Sequence, residues 1–231
     1  PAMRVIPDPR DSGTKRERTR NRLLIATQEL LLERSAGSLT IRDVSHQAEL
    51  SHGTFYNYFD TVEALLDNLS LLFTVTHGQH MATLTAGVSD SAEIFALSTR
   101  QTLRFIAESP HYGKYLFDAG LPMDHFLRAM RTHLYTDVKR GIANGTFTVV
   151  DPDLTVSIVA GGMLGMALDV YRRIIPASAI DEGATRLLQQ LGVRAAKAKK
   201  QETHEDTFLT PPQMPLPWPR GGAFGQATLP E

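Results

Sequence analysis

The sequence predicts an all-α protein: an N-terminal three-helix unit built around a helix-turn-helix, followed by a larger helical domain. Three observations carry that expectation. Inward-facing candidates recur at three- and four-residue intervals, as in Leu23, Ala26, Thr27, Leu30 and Leu31. Helix starts are marked again and again, by Thr14, Thr40, Ser51, Asp90 and Asp151, whose side chains can accept a hydrogen bond from a first-turn N–H. Finally, residues 40–66 crowd two of those starts together, leaving room for two short helices, a tight turn and the opening of a third helix.

Residues 1–13 are rich in proline and charge and read as a flexible arm. Thr14 and Glu17 form a capping-box pair that opens a helix ending near Gly37. Thr40, with Asp43 at the third helical position, opens a short helix with Ile41, Val44 and Ala48 on one face. Ser51 opens the next, and Phe55 and Phe59 turn inward together. Ser51, His52, Gly53, Thr54, Tyr56, Asn57 and Tyr58 are left facing outward, the small and hydrogen-bonding groups that suit a helix lying in a major groove.

After Phe59, Asp60 or Thr61 caps a helix that runs to about Leu84. Asp90 with Glu93 opens another, carrying Ile94, Leu97, Phe105 and Ile106 and stopped by Pro110. Residues 112–119 make a short aromatic helix broken by Gly120 and Pro122, and residues 123–143 the next, ended by Asn144 and Gly145. Phe147, Val149 and Val150 suit a short extended link. Asp151 then supplies an N-cap and Pro152 a proline at the first helical position.

The helix from there to Ile174 is apolar on nearly every side, which predicts burial, and Ala160, Gly161, Gly162 and Gly165 would let another helix approach closely. A last helix, from about 178 to 197, carries Ile180, Ala184, Leu187, Leu188 and Leu191. From Lys199 the chain turns polar and then proline-rich, a composition that cannot be helical; Phe208, Trp218 and Phe224 are its groups able to dock. The expected division is an arm over 1–13, a helix-turn-helix domain over 14–60, a helical domain over 61–198 and a tail over 199–231.

Residues 40–66 resemble the DNA-binding domain of the TetR family of one-component transcriptional regulators. Thr40, Val44, Ala48, Leu50, Ser51, Gly53, Phe55, Tyr56, Tyr58, Phe59 and Leu65 fall in register with that family's pattern, many positions at fixed offsets. Three departures stand out. Glu49 replaces the turn glycine, at a steric cost if its φ is positive; Ser45 replaces an alanine; and Val62 replaces a lysine that would otherwise reach a phosphate.

The resemblance implies a homodimer whose two C-terminal helices form a four-helix bundle across a two-fold axis, and hence a palindromic double-stranded DNA operator. It also implies a small-molecule effector that releases a repressor from DNA, with the change carried by the helix starting at Thr61. An activator, or a regulator answering to a protein partner, uses the same features. Thr40, Ser51, Tyr56 and Tyr58 offer hydroxyls to phosphates, while His52, Thr54, Asn57 and Arg42 are placed to read base edges. Gly53 removes a side chain at the closest approach. In the second domain Phe95, Phe105, Tyr112, Tyr115, Phe117, Met123, Phe126, Met130 and Tyr135 are candidates to line a pocket for an apolar or aromatic ligand.

Composition narrows the alternatives. The 231 residues carry 24 Lys and Arg against 25 Asp and Glu, a net charge of −1, so attraction to DNA must be local. Lys15, Arg16, Arg18, Arg20, Arg22 and Arg42 supply that local charge. The chain has no cysteine, which excludes disulfides, thiolate metal sites and cysteine nucleophiles. No nucleophile with its base, phosphate loop or carboxylate pair points to catalysis or a cofactor, and His77 with His80, or His125 with His133, lacks the companions of a metal site.

The N-terminus lacks an apolar signal region, and the longest apolar run, 156–168, is shorter than the roughly 20 residues a bilayer requires, so a cytoplasmic protein outside the membrane is expected. A helical small-molecule carrier, or an adaptor working through its proline-rich tail, is the competing class. Removing the tail should cost an adaptor its partner and leave a regulator's operator binding intact.

Overall fold

The computed structural model describes residues 14–194, Ala198 and 208–217, and among these the regular elements are all helices. They are α1 (Lys15–Glu33), α2 (Ile41–Gln47), α3 (His52–Tyr56), α4 (Val62–Leu84), α5 (Ser91–Glu108), α6 (Pro110–Phe117), α7 (Asp124–Ala143), α8 (Pro152–Tyr171) and α9 (Ile180–Gln190), with 3-10 turns at Ala36–Ser38 and Ala177–Ala179. The arm before Thr14, Trp218 and Phe224 lie outside the described residues. Two compact units form. Of the described residues, one holds those up to Phe73, Asp118–Pro122 and 212–217; the other holds Thr74–Phe117 and those from Met123 to Pro211.

In the first unit the predicted capping box at Thr14 is made, and the predicted N-cap at Thr40 proves to be a second one. Thr14 accepts from the Glu17 N–H and Glu17 reaches back to the Thr14 N–H at 2.7 Å; Thr40 and Asp43 repeat the exchange. α1 buries Leu23, Leu24 and Leu31 completely against α2, and Val44 and Phe55 close the core from α2 and α3. Each such side chain contributes roughly 2 kcal/mol through removal from water. α1 ends at Glu33, earlier than its periodicity suggests, because the chain at Ala36 turns to bond Ala119, whose carbonyl accepts the Ala36 N–H at 2.8 Å. Val62 is a core residue here, 8 % exposed, so the family's lysine position has been given over to packing.

The second unit is organised on α5, which packs against α6, α7, α8 and α9. Phe95 of α5 meets Leu134 and Val138 of α7, Val156 and Val159 of α8, Leu188 of α9 and Phe147 in one cluster. Phe147 sits so close to α7 that a β-carbon on Gly141 would fall 2.1 Å from its ring; only glycine fits there.

Several boundaries differ from the sequence expectation. Pro110 opens α6 instead of only stopping α5, since a first-turn position needs no N–H donor. α9 ends at Gln190, where Gly192 takes φ 78°, the left-handed conformation that closes a helix. The larger correction concerns α8. Its composition predicts burial, yet only Val156, Val159, Ala160, Met163, Ala167 and Val170 are buried, while Leu154, Ile158, Gly161, Gly165 and Leu168 form an exposed stripe along the opposite face. By length and composition, counting Pro152–Tyr171 whole, it is also the one described helix apolar enough to cross a membrane; a third of it is buried.

Candidate functional site

The outward surface of the first unit is assembled by α2, the turn after it and α3. Glu49 in that turn takes φ 52°, the left-handed value for which the family's pattern uses glycine. Arg22 of α1 holds the turn from behind, donating to the Ala48 carbonyl at 2.6 Å and the Glu49 carbonyl at 3.2 Å. Arg20 is likewise committed, donating to Asn68 Oδ1 at 2.6 Å and lying 5.7 Å from the Phe59 ring centre. Two members of the basic run therefore brace the fold. Lys15, Arg16 and Arg42 are exposed.

The hydroxyls expected to touch phosphate divide into two groups. Thr40 donates its proton to Asp43 Oδ2 at 2.6 Å, and its N–H goes to the same carboxylate. The Thr40 hydroxyl, a side-chain bond from Arg34 and the Thr40 N–H hold the Asp43 carboxyl well below its usual range, at about 2. Ser51 accepts the Thr54 N–H at 3.1 Å and shares a hydrogen bond of 2.7 Å with the Thr54 hydroxyl, so these two cap α3. Tyr56, Asn57 and Gly53 remain exposed, with Tyr58 part-exposed. His52 packs edge-on against Tyr56, 5.4 Å between ring centres, which fixes both rings on the outer surface. A β-carbon on Gly53 would meet nothing closer than Ser51 Oγ at 4.0 Å, so the unit's own packing does not require glycine there.

In the second unit the structure gathers three of the expected pocket residues around one that sequence reasoning passed over. Phe105, Tyr112 and Phe126 lie at 6.5, 6.2 and 5.2 Å from the His77 ring centre. Tyr112 Oη is 2.5 Å from His77 Nδ1, and His77 Nε2 is 3.3 Å from Thr102 Oγ1. Thr102 spends its own proton on the Ser98 carbonyl at 2.9 Å. It must then accept from His77, which assigns the imidazole proton to Nε2 and leaves Nδ1 to accept from Tyr112.

Burial, and after it the neighbouring His80 and His133, lower the His77 pKa to about 4, while burial raises that of Tyr112. His77 nonetheless keeps some solvent-accessible surface. The other candidates are placed elsewhere. Phe95 belongs to the core cluster with Met130 and Tyr135 against it, Phe117 stacks on Tyr171 at 5.6 Å, Tyr115 is buried and Met123 is part-exposed. His77 follows Leu69 and Phe73 at four-residue steps; that inward spacing was the available signal. Among the described residues no three His, Asp or Glu side chains converge as metal ligands.

Residues 23–69 match the family model of bacterial regulatory proteins, tetR family, and residues 90–203 that of a tetracyclin repressor-like C-terminal domain. An uncharacterized HTH-type transcriptional regulator of Mycobacterium tuberculosis is 29% identical over 99 residues, 43% of this chain and 49% of that protein. The chain thus spans about half the length of the curated relatives it matches. Of solved structures, RolR in complex with resorcinol superposes with a TM-score of 0.66 at 26% identity, covering 85% of this chain and 98% of that one. RolR without ligand gives 0.62 at 25% over 83% and 98%. The fatty acid degradation regulator FadR from Bacillus halodurans, 16% identical, shares the fold with a TM-score of 0.62 over 78% of this chain and 100% of its own. With an all-helical fold, a helix-turn-helix in its first unit and both family models matched, this chain belongs to the TetR family of transcriptional regulators, which are DNA-binding proteins and not enzymes.

Proposed function

We propose that the protein is a homodimeric, ligand-responsive repressor acting in the cytoplasm, which grips a palindromic operator through α2 and α3 and leaves it when a small aromatic ligand binds the second unit. Residues 14–60 bind DNA, and residues 61–198 bind the ligand and dimerise. The observation that carries the reading is the exposed stripe on α8. Leu154, Ile158 and Leu168 are more than a third exposed, and the glycines between them, Gly161 and Gly165, have nothing within 4 Å of where a β-carbon would stand. A stripe of that kind suits a second copy of the same helix, and a two-fold axis there sets two recognition helices on two half-sites, about 34 Å or a multiple apart.

On the DNA, Thr40, Ser51, Tyr56 and Tyr58 position the protein on phosphates, and Arg42, His52, Thr54 and Asn57 read bases. In the second unit, Phe105, Tyr112 and Phe126 supply flat apolar walls, and His77, Tyr112 and Thr102 supply hydrogen bonds to a ligand hydroxyl. RolR, which binds resorcinol, supports an aromatic ligand of this kind. Ligand releases DNA only by binding more tightly to the conformer that cannot span both half-sites. α4, which runs unbroken from Val62 to Leu84, carries the change.

Selecting bound duplexes from a random pool tests the reading. One palindrome should emerge, its affinity falling steeply with salt, and phenols should be screened for its release. No enrichment over random DNA would overturn it.

A further inference from the structure

Within the second unit, a short stretch that follows the last helix is held against α5 in an unexpected way. Gln101, fully buried, donates from Nε2 to the Leu209 carbonyl at 3.0 Å and accepts the Leu209 N–H on Oε1 at 2.7 Å. A carboxamide that pairs with both groups of one residue reproduces a rung of an antiparallel ladder and reads backbone, whatever the side chain. The residue before the bonded one is read differently. Phe208 lies beneath the Arg104 guanidinium, 4.2 Å from its ring centre, with that of Arg100 at 5.9 Å. The first unit, taken by itself, uses the same carboxamide device: Gln28 of α1 donates to the Leu216 carbonyl at 2.9 Å and accepts the Leu216 N–H at 2.7 Å. There the bonded residue is core, 5 % exposed, whereas Phe208 and Leu209 are only half-buried and lie outside any helix.

The helices supply this surface without help from the segment. Arg104 is positioned by α9, its Nη2 reaching both carboxylate oxygens of Asp181 at 3.4 Å. Its buried Nε has no hydrogen-bond partner among the described residues, and the face of Phe208 is what lies against the guanidinium. Gln101 is fixed by its burial on α5. With the segment gone, a buried donor and a buried acceptor would stand unmet, a cost that any extended backbone relieves. The surface therefore demands a backbone at Gln101 and favours an aromatic side chain one residue earlier.

We propose that α5, with Asp181 of α9 behind it, forms a peptide-binding site in the second unit, and that Phe208 and Leu209 of this chain are its resident ligand. The site takes an extended peptide with an aromatic residue followed by one whose N–H and carbonyl both face Gln101. Because the resident pair is outside the core, a free peptide of the same pattern takes the site when the pair is displaced. This assignment does not depend on the aromatic ligand of the cluster around His77.

NMR on the isotope-labelled full-length protein tests it, read at the Gln101 side-chain amide. Leu209→Pro removes the N–H that Gln101 accepts, so this resonance should leave its native position. An unlabelled peptide copying residues 208–211, added to millimolar concentration, should bring it back. Methylating the leucine nitrogen of that peptide should weaken its binding about tenfold or more, the effect of a hydrogen bond lost at a buried acceptor. Replacing its phenylalanine by alanine should weaken binding several-fold, the effect of a lost cation–π contact. Phe208→Ser vacates the site a second way, keeps the Leu209 N–H, and should admit the same peptide only at higher concentration. Helix content by circular dichroism serves as the folded reference. If the resonance ignores Leu209→Pro, if the peptide fails to restore it, or if the methylated peptide restores it equally well, there is no peptide site. Loss of helix in both variants would make the pair part of the fold and overturn the proposal as surely.

Discussion

Tyr112 and His77 share a hydrogen bond of 2.5 Å in which the phenol donates to Nδ1, because Nε2 carries the imidazole proton toward Thr102. Burial first, and after it the neighbouring His80 and His133, disfavour the charged imidazole, and its pKa is lowered to about 4. The unfolded chain takes up this proton near pH 6.5 and the folded chain only near pH 4. Stability from His77 is therefore complete above about pH 6.5 and is lost as pH falls toward about 4. The loss is at most about 3 kcal/mol, less what residual solvent access screens. Urea denaturation at about pH 7 and about pH 4.5 should show a larger drop for the native sequence than for His77→Gln.

Substitution of Gly53 tests DNA binding apart from folding. Its β-carbon position is open within the unit, and alanine is the better helix former by about 1 kcal/mol, so Gly53→Ala should melt no lower than the native protein. Operator affinity, measured by fluorescence anisotropy, should fall at least tenfold if the helix backbone lies against DNA at this point. Unchanged affinity would move the contact elsewhere.

Asn57→Ala should relax preference at one base pair in each half-site, by roughly 1 to 3 kcal/mol. Tyr58→Phe should instead weaken all sequences alike. Titrations against single-base operator variants distinguish them, and a uniform loss in Asn57→Ala would remove its base-reading role.

Glu49 sits at φ 52°, where a β-carbon is strained and glycine is not. Its ion pair with Arg22, 3.6 Å long and 88% exposed on the Glu49 side, offsets little of that. Glu49→Gly should raise the melting temperature by a few degrees, an increment of about 1 kcal/mol. A lower melting temperature would show that the turn relies on the carboxylate.

On α8, Gly161→Gln together with Gly165→Gln fits the free chain and favours helix, so the monomer's secondary structure should be retained. Sedimentation should nevertheless report monomers, with operator affinity lost alongside the dimer. A double variant that still sediments as a dimer would place the two-fold axis on another surface.

Sequence alone determined what depends on neighbours along the chain. Capping pairs such as Thr14 with Glu17 and Thr40 with Asp43 announce helices because donor and acceptor lie three residues apart, and Phe55 and Phe59 point inward because their spacing matches a helical turn. The outward placement of His52, Gly53, Tyr56 and Asn57 was legible for the same reason.

What only the tertiary structure decided are pairings between distant residues. Arg22 looked like one more charge for DNA until the fold brought the carbonyls of Ala48 and Glu49 to it. His77 with His80 showed no companions in the sequence until α5 and α6 delivered Thr102 and Tyr112 to the two nitrogens of His77. α8 read as buried because composition cannot tell an apolar face covered by its own chain from one left exposed. The tail read as dispensable because proline forbids a helix there. Proline says nothing about two glutamines far away that bond the tail's backbone, so removing it would unseat Leu216 from the first unit. Local chemistry writes the elements; which partner satisfies a buried polar group is set only when the chain has closed on itself.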